Sequence, residues 1–363
     1  MKRINFLAGF LLLALLSWGQ AKRITIPDIP GYKTLKCDFH MHTVFSDGAV
    51  WPTVRVSEAI REGLDAIAIT DHIEYRPYHD SGDVVSDHNR SYIIARDFAK
   101  GLPDSLIVIH GSEVTRDMPP GHLNAIFLKD SNPLDTPDWH DALMAAKEQG
   151  AFIFWNHPNW KVQAPPDGIP KWYDEHTRLW KDGCIMGIEM FSGGNYSPLA
   201  YGWTIEKNLT VLCNHDAHSP LFFVFPAHRN ITLVFATERS EKGIHDALID
   251  HRTVAYSRTD DMCGDEKFLK ALIDGSLRTT GTVRDGDKVR VTVVNTSSLV
   301  FKLRTLAQEG GVTLLPEKIV IGPFESVDVE ISTVKGKMPR QLDFVVENFF
   351  AKPDEGMKYS YRL

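Results

Sequence analysis

The chain has 363 residues, 43% of them hydrophobic and 24% charged, with a formal net charge of −7. That length has room for two domains, and the composition is that of an ordinary soluble globular protein. The negative balance argues against a broad basic surface for a nucleic-acid polymer, although bound metal ions would still admit a small nucleotide.

Taken in chain order, the first 21 residues read as a secretory signal peptide. Lys2-Arg3 is a positive start, Phe6 to Leu16 is an apolar stretch, and Gly19-Gln20-Ala21 supplies small residues at a cleavage site after Ala21. The apolar stretch is too short to span a bilayer. An uncleaved anchor is the alternative. Cleavage removes Lys2 and Arg3 and no acid, which takes the formal charge to about −9. The short signal looks bacterial, so a periplasmic or secreted protein is expected, with no membrane contact after cleavage.

The next elements alternate. Leu35 to Phe39 is a short apolar run that ends in His40-Met41-His42 and is followed by Asp47. Residues i and i+2 of an extended chain point to one side, so both imidazoles can face one point. Val54 to Gly63 looks helical. Leu64 to Thr70 runs into Asp71-His72. Ser91 to Gly101 looks helical, and Leu106 to Ser112 runs into Glu113. His140 to Gly150 looks helical, and Ala151 to Asn156 runs into His157-Pro158. Leu209 to Asn214 runs into His215-Asp216-Ala217-His218. Short Val-, Ile- and aromatic-rich runs between helical segments predict buried strands of an α/β barrel or a doubly wound sheet. In barrels the chemistry sits at the carboxyl ends of the strands, where these His, Asp and Glu residues collect. A single such residue is readily a cap or a structural histidine; five strand ends carrying them together point to a metal centre.

Aromatic residues crowd two places. Trp155, Trp160, Trp172, Tyr173 and Trp180 surround residues 158 to 181, which read as an insertion over the site. Leu221-Phe222-Phe223-Val224-Phe225-Pro226 follows His218. Either group can wall a substrate pocket or simply pack an ordered loop. Four cysteines are too few for a disulfide scaffold of this size. Cys37 and Cys213 lie inside predicted strands and read as core residues, with a bridge as the alternative.

A composition shift follows Tyr256, where Ser257 to Glu266 is polar. Beyond it the pattern alternates, as in Lys288 to Val293 and Ser326 to Ile331, with turn signals at Asp285-Gly286, Gly310-Gly311 and Gly322-Pro323. About 90 residues of short strands predict a small β-sandwich. It is expected to be a packing module; Phe349-Phe350 and Tyr359 to Tyr361 are the candidates for a binding role. The expected division is 1–21 signal, 22–270 catalytic domain and 271–363 β domain.

The strand-end residues as a set resemble the PHP superfamily, named for its polymerase and histidinol phosphatase domains. The motifs appear in family order: His40, His42 and Asp47; Thr70-Asp71-His72; Glu113 with Gly121-His122-Leu123; Asn156-His157-Pro158; and Asp216-Ala217-His218. The resemblance covers roughly residues 34 to 256. It implies a distorted (β/α)7 TIM-like barrel that binds two or three divalent ions and hydrolyses phosphate esters. It further implies that His40, His42, Glu113 and Asp216 hold one metal, that Glu113, His122 and His157 hold a second, and that Asp47, His72 and His218 hold a third. Nitrogen and oxygen donors without thiolate suit Zn, Mn or Fe. His215 and Asp71, one residue away from ligands, should point elsewhere and support them.

The expected chemistry is attack of metal-activated hydroxide on a small organic phosphoester, with the ions clamping the phosphoryl oxygens. No Gly-x-Ser-x-Gly signature suggests a covalent nucleophile. Asp47 and His72 are assigned to the reacting centre. Arg76, Arg116 and Arg229 are candidates to hold the phosphate, Arg229 first, and His79 and His176 are candidates for the general acid. A non-phosphate amide or ester hydrolase on the same centre is the alternative. A non-catalytic binding module is the third reading, but none of the ligands it would have lost is missing.

Overall fold

The computed structural model describes residues 23–362, apart from 86, 104–105, 166, 222–227, 309, 311 and 334–338. The signal-peptide reading and Phe222 to Pro226 lie outside the described residues. No helix among the described residues is long and apolar enough to cross a membrane.

The barrel is built from β1 (Lys33–Asp38), β2 (Ala66–Ile69), β3 (Ile107–Val114), β4 (Leu123–Ile126), β5 (Phe152–Trp155), β6 (Gly187–Glu189), a small hairpin of β7 (Phe191–Ser192) and β8 (Asn195–Tyr196), then β9 (Thr210–Leu212), β10 (Ile231–Ala236), β11 (Thr253–Tyr256) and β12 (Met262–Gly264). Pairs β1–β2, β2–β3, β5–β6 and β6–β9 are parallel. β4 runs antiparallel between β3 and β5, and β10 runs antiparallel to β1. That mixture is the distortion of the barrel. β9 meets β10 and β11 through threonine hydroxyls: Thr253 Oγ1 donates to Val211 O at 2.7 Å, and Thr232 Oγ1 accepts from Cys213 N at 2.9 Å. Strands β2 and β5 are buried throughout, as parallel-sheet strands with both faces covered should be.

The expected helices form at Pro52–Glu62, Arg90–Lys100 and Trp139–Glu148. Local chemistry sets their ends. Pro52 opens the first, where its missing N–H costs nothing, and Gly63 closes it with φ +79°, a conformation glycine adopts without strain. Asp138 caps the third by accepting from His140 N. All four cysteines are free and buried.

The C-terminal region is the predicted sandwich. One sheet holds β13 (Leu277–Asp285), β14 (Lys288–Asn295), β18 (Ser326–Ser332) and β16 (Thr313–Leu315). The other holds β15 (Phe301–Thr305), β17 (Lys318–Ile321), β19 (Gln341–Lys352) and β20 (Glu355–Arg362). β14 alternates buried valines with exposed partners, so Val289, Val291 and Val293 pack inward.

The polar stretch Ser257 to Glu266 contains β12, which pairs antiparallel with β11 and parallel with β19, Met262 against Phe349 and Cys263 against Phe350. The second sheet of the sandwich therefore continues the barrel sheet. Phe268, Leu269, Leu272 and Ile273 of helix Glu266–Ser276 fill the join. Tyr201 OH reaches across it to Gly264 O and Phe350 O.

Candidate metal centre

Backbone hydrogen bonds bring the expected residues together at one end of the barrel. Past β1 the chain stays extended. His42 N donates to Ala217 O at 2.9 Å, Asp216 N to His40 O at 2.9 Å and Thr70 N to Met41 O at 3.1 Å. Met41 thus turns inward to the core while His40 and His42 face the centre, as the i, i+2 argument requires. Loop 43–48 folds tightly behind His42. A Cβ on Gly48 would lie 2.5 Å from the His42 carbonyl carbon, so this position needs glycine.

The two carboxylate oxygens of Glu113 face different partners. Oε2 lies 3.0 Å from His40 Nε2 and 3.2 Å from His42 Nε2. Oε1 lies 2.6 Å from His122 Nδ1 and 4.0 Å from His157 Nε2. Asp216 Oδ1 adds to the first group, 3.2 Å from His40 Nε2 and 3.1 Å from His42 Nε2. A third group gathers on Asp47 Oδ1, 3.4 Å from His72 Nε2 and 3.3 Å from His218 Nε2. His42 also lies close enough to join this third group, and His157 to join His40 and Asp216. All nine residues named from the sequence therefore meet in one place.

Charge accounts for the protonation of the site. Burial opposes charge on His40, but Asp216, Glu189 and Glu113 outweigh it and hold the imidazole well above its ordinary range. Burial also opposes charge on His42, and the carboxylates of Asp216 and Glu113 close beside it still raise it to about 9. Glu113 and Asp216 resist burial because surrounding imidazoles hold them well below the carboxylate range. Burial lowers His157. Such a cluster exchanges protons for cations. Among the described residues, His42 Nε2, Asp47 Oδ1, Glu113 Oε1 and Asp216 Oδ1 are buried and make no well-directed hydrogen bond, although they converge. Six imidazoles and three carboxylates with unsatisfied inward atoms fit divalent ions taking nitrogen and oxygen donors.

The supporting shell differs from the sequence reading. Asp71 does not bond a ligand imidazole directly. It accepts from Thr43 N at 2.6 Å, Thr43 Oγ1 at 2.8 Å and Ser46 Oγ at 2.7 Å, and so holds the loop that carries Asp47. His72 is steered instead by Thr115 Oγ1, 2.5 Å from its Nδ1. His215 is largely buried and its imidazole is pushed down to about 3, first by burial and then by Arg229.

Sequence reasoning missed Glu189. It ends β6, a run of three residues too short to register as a strand. Its Oε1 lies 3.0 Å from His40 Nδ1 and accepts from Asn214 Nδ2, and its Oε2 accepts from His157 N at 2.8 Å. This carboxylate turns His40 Nε2 toward the centre. The available signal was an acid following Ile185 to Ile188, another apolar run at a strand end. Glu189→Gln is expected to weaken zinc binding about 10- to 100-fold while the fold is kept. Chelator competition measures this, and an unchanged affinity would remove Glu189 from the support of the site.

The arginine assignments are corrected. Arg229 is fully buried and does not line the centre. Its guanidinium grips Glu62 through Nε at 2.8 Å and Asp38 through Nη1 at 3.0 Å. A guanidinium enclosed by two carboxylates has no donor geometry left for a phosphate. Arg76 is buried too, bonded to Phe45 O and Val85 O and facing His88. Arg116 pairs with Glu74 at 2.9 Å and donates to Thr136 O.

The general-acid candidates also lie apart from the imidazole cluster. His79 is more than a third exposed, beside Asp80. His176 is fully buried, stacked on Trp155 at 4.0 Å, accepting from Tyr173 N at Nδ1 and facing Pro120 O through Nε2. Those partners require the neutral ring, and burial pushes it down to about 4 from 6.5. The unfolded chain therefore binds the proton first. Stability from neutral His176 is complete above pH 6.5 and is lost as pH falls toward 4, by about 3 kcal/mol. Urea midpoints across this window should fall more steeply for the wild type than for His176→Gln; equal slopes would exclude this histidine as a source.

Trp160 sits at the rim. Its ring centroid lies 5.4 Å from that of His122 and 5.2 Å from that of His157, and the side chain stays partly exposed. Trp155, Trp172 and Trp203 form a packed cluster instead, with Trp155 fully buried.

Comparison with known proteins agrees with this arrangement. Residues 38–154 match the family model described as the PHP domain, and residues 276–362 match one described as an Ig-like domain. An uncharacterized protein of Methanocaldococcus jannaschii is 38% identical over 86 residues, a match spanning 24% of this chain and 36% of that one. A solved two-domain protein of Bacteroides vulgatus, described as containing a predicted PHP-like metal-dependent phosphoesterase, is 45% identical. It covers 94% of this chain and 98% of its own, with a TM-score of 0.87. With likeness of that depth over both domains, and with the family's motif residues meeting at one barrel end, the chain belongs to the PHP family.

Proposed function

We propose that the protein is a secreted, metal-dependent phosphoesterase acting on a small organic phosphate ester. The observation that carries this reading is Glu113, a buried residue whose two oxygens serve two separate groups of imidazoles at the centre of a nine-residue cluster. His40, His42, Glu113 and Asp216 would hold one ion, Glu113, His122 and His157 a second, and Asp47, His72 and His218 a third. Zn, Mn or Fe suits these donors; bound there, such ions activate water and neutralise phosphoryl charge. The residues themselves hold the donors in register: Glu189 orients His40, Thr115 orients His72, and Asp71 holds the Asp47 loop. Residues 1–21 would be the signal peptide that delivers the chain to the periplasm or beyond, 22–270 the catalytic domain and 271–363 the β domain. No nucleic-acid polymer is a substrate in this reading.

One observation favours a second reading, hydrolysis of an amide or non-phosphate ester on the same centre. Arg76, Arg116 and Arg229 are each engaged away from the imidazole cluster. The test is product release from a panel of sugar phosphates, nucleotides, phosphotyrosine peptide, a phosphodiester and N-acyl amides. Mature protein is loaded with Zn, Mn or Fe, with His40→Ala/His42→Ala as control. Metal-dependent phosphate release lost in the control supports the phosphoesterase. Amide turnover without phosphate release selects the second reading.

A further inference from the structure

Helix Pro52–Glu62 carries a charged pair, Arg55 and Glu58, whose side chains are fully buried. Helix faces toward a core are normally apolar, so two buried charges need partners. Arg55 has four. Its Nε donates to His42 O at 3.0 Å, Nη2 to Ala217 O at 2.7 Å, and Nη1 to Ser219 O at 2.9 Å and Glu58 Oε2 at 2.9 Å. Glu58 Oε1 in turn accepts from Leu221 N at 2.6 Å. The pair thus ties His42, in the extended stretch after β1, to segment 217–221, two stretches far apart in sequence.

Each tied stretch carries a residue of the centre, and their rings touch. His42 and His218 stack with centroids 4.2 Å apart and planes 23° apart. His218 follows Ala217 and precedes Ser219, the two carbonyls in the grip of Arg55. Its own side chain is more than a third exposed, and its Nδ1 bond, 3.0 Å to Asp216 O, is to its own loop. The ring is therefore placed by its backbone. A lysine in place of Arg55 would supply charge but not a planar fork spanning three carbonyls.

We infer that Arg55, braced by Glu58, is a positioning residue that sets His218 against His42 and completes the Asp47–His72–His218 edge of the centre. This rests on the metal-centre reading above. The remote Glu113–His122–His157 group shares none of these bonds, so it should not depend on Arg55.

That difference supplies the test. Selectively labelled histidine rings, assigned by single variants, are followed by NMR while zinc is added to the full mature protein. In Arg55→Lys the zinc-induced shifts of His72 and His218 should need at least about tenfold more zinc, while those of His122 and His157 saturate as in the wild type. Glu58→Gln, which leaves the fork on its carbonyls but loosens Leu221, should give the same selective pattern more weakly. It carries the test should Arg55→Lys not fold. Four shifts that saturate as in the wild type, or that weaken equally, would overturn the positioning role. A wild type showing no zinc-induced shift at any of the four overturns the metal centre itself, and Arg55 falls with it.

Discussion

Glu113→Gln is expected to lower metal-dependent turnover by about 10³-fold, roughly 4 kcal/mol of barrier. It should also reduce bound metal. Glu113 is the residue whose oxygens face both His40/His42 and His122/His157, at 3.0, 3.2, 2.6 and 4.0 Å. Glutamine keeps the shape but removes the charge and replaces one acceptor by a donor aimed at a cation. In the proposed arrangement two ion sites would lose a ligand at once, whereas Asp47→Asn would touch only the group of His42, His72 and His218. Metal content by mass spectrometry and phosphate release, measured on the same samples, separate the two effects. Activity within tenfold of the wild type, at equal metal content, would contradict the bridging role.

Arg229→Met is expected to destabilise the fold by about 3–5 kcal/mol. The variant leaves Asp38 buried without its cation and frees Glu62. Burial already holds Asp38 above the usual carboxylate range, against the pull of Arg229. With the guanidinium gone, that carboxyl should take a proton near neutral pH. Asp38 also accepts from His215 N at 3.0 Å and His40 N at 3.4 Å, so its loss of charge loosens the strand end that carries the centre. The double variant Arg229→Met/Asp38→Asn should recover part of the stability, since removing both charges costs less than stranding one. Urea unfolding reads both. A single variant as stable as the wild type would mean that Asp38 is not charged in the fold.

Short-range spacing was legible in the chain. His40 and His42 face one way because an extended backbone alternates, and the structure keeps that alternation through the bonds at Met41. The same alternation would put Asp216 and His218 on one side, and both do reach the centre, but by a different route. Neither lies in a strand; Asp216 has φ +57° in a loop, and that local turn rather than pleating aims its carboxylate. The sandwich was legible from alternation in β14 and β18, whose inward valines pack as expected. Its attachment was not, because a three-residue strand such as β12 carries no periodicity to read.

The amino-acid sequence by itself determined which donors exist, their chemistry and the strand ends on which they sit, since these follow from residue type and local period. Tertiary structure alone decided what each charged group does. Arg229 meets Glu62 and Asp38 across 167 and 191 residues, Glu189 meets His40 across 149, and Arg55 meets Ala217 across 162. An arginine at a strand end looks the same in sequence whether it faces a ligand or a buried carboxylate. Only the barrel's closure settles which, because a charge taken out of water goes to the nearest opposite charge the fold provides.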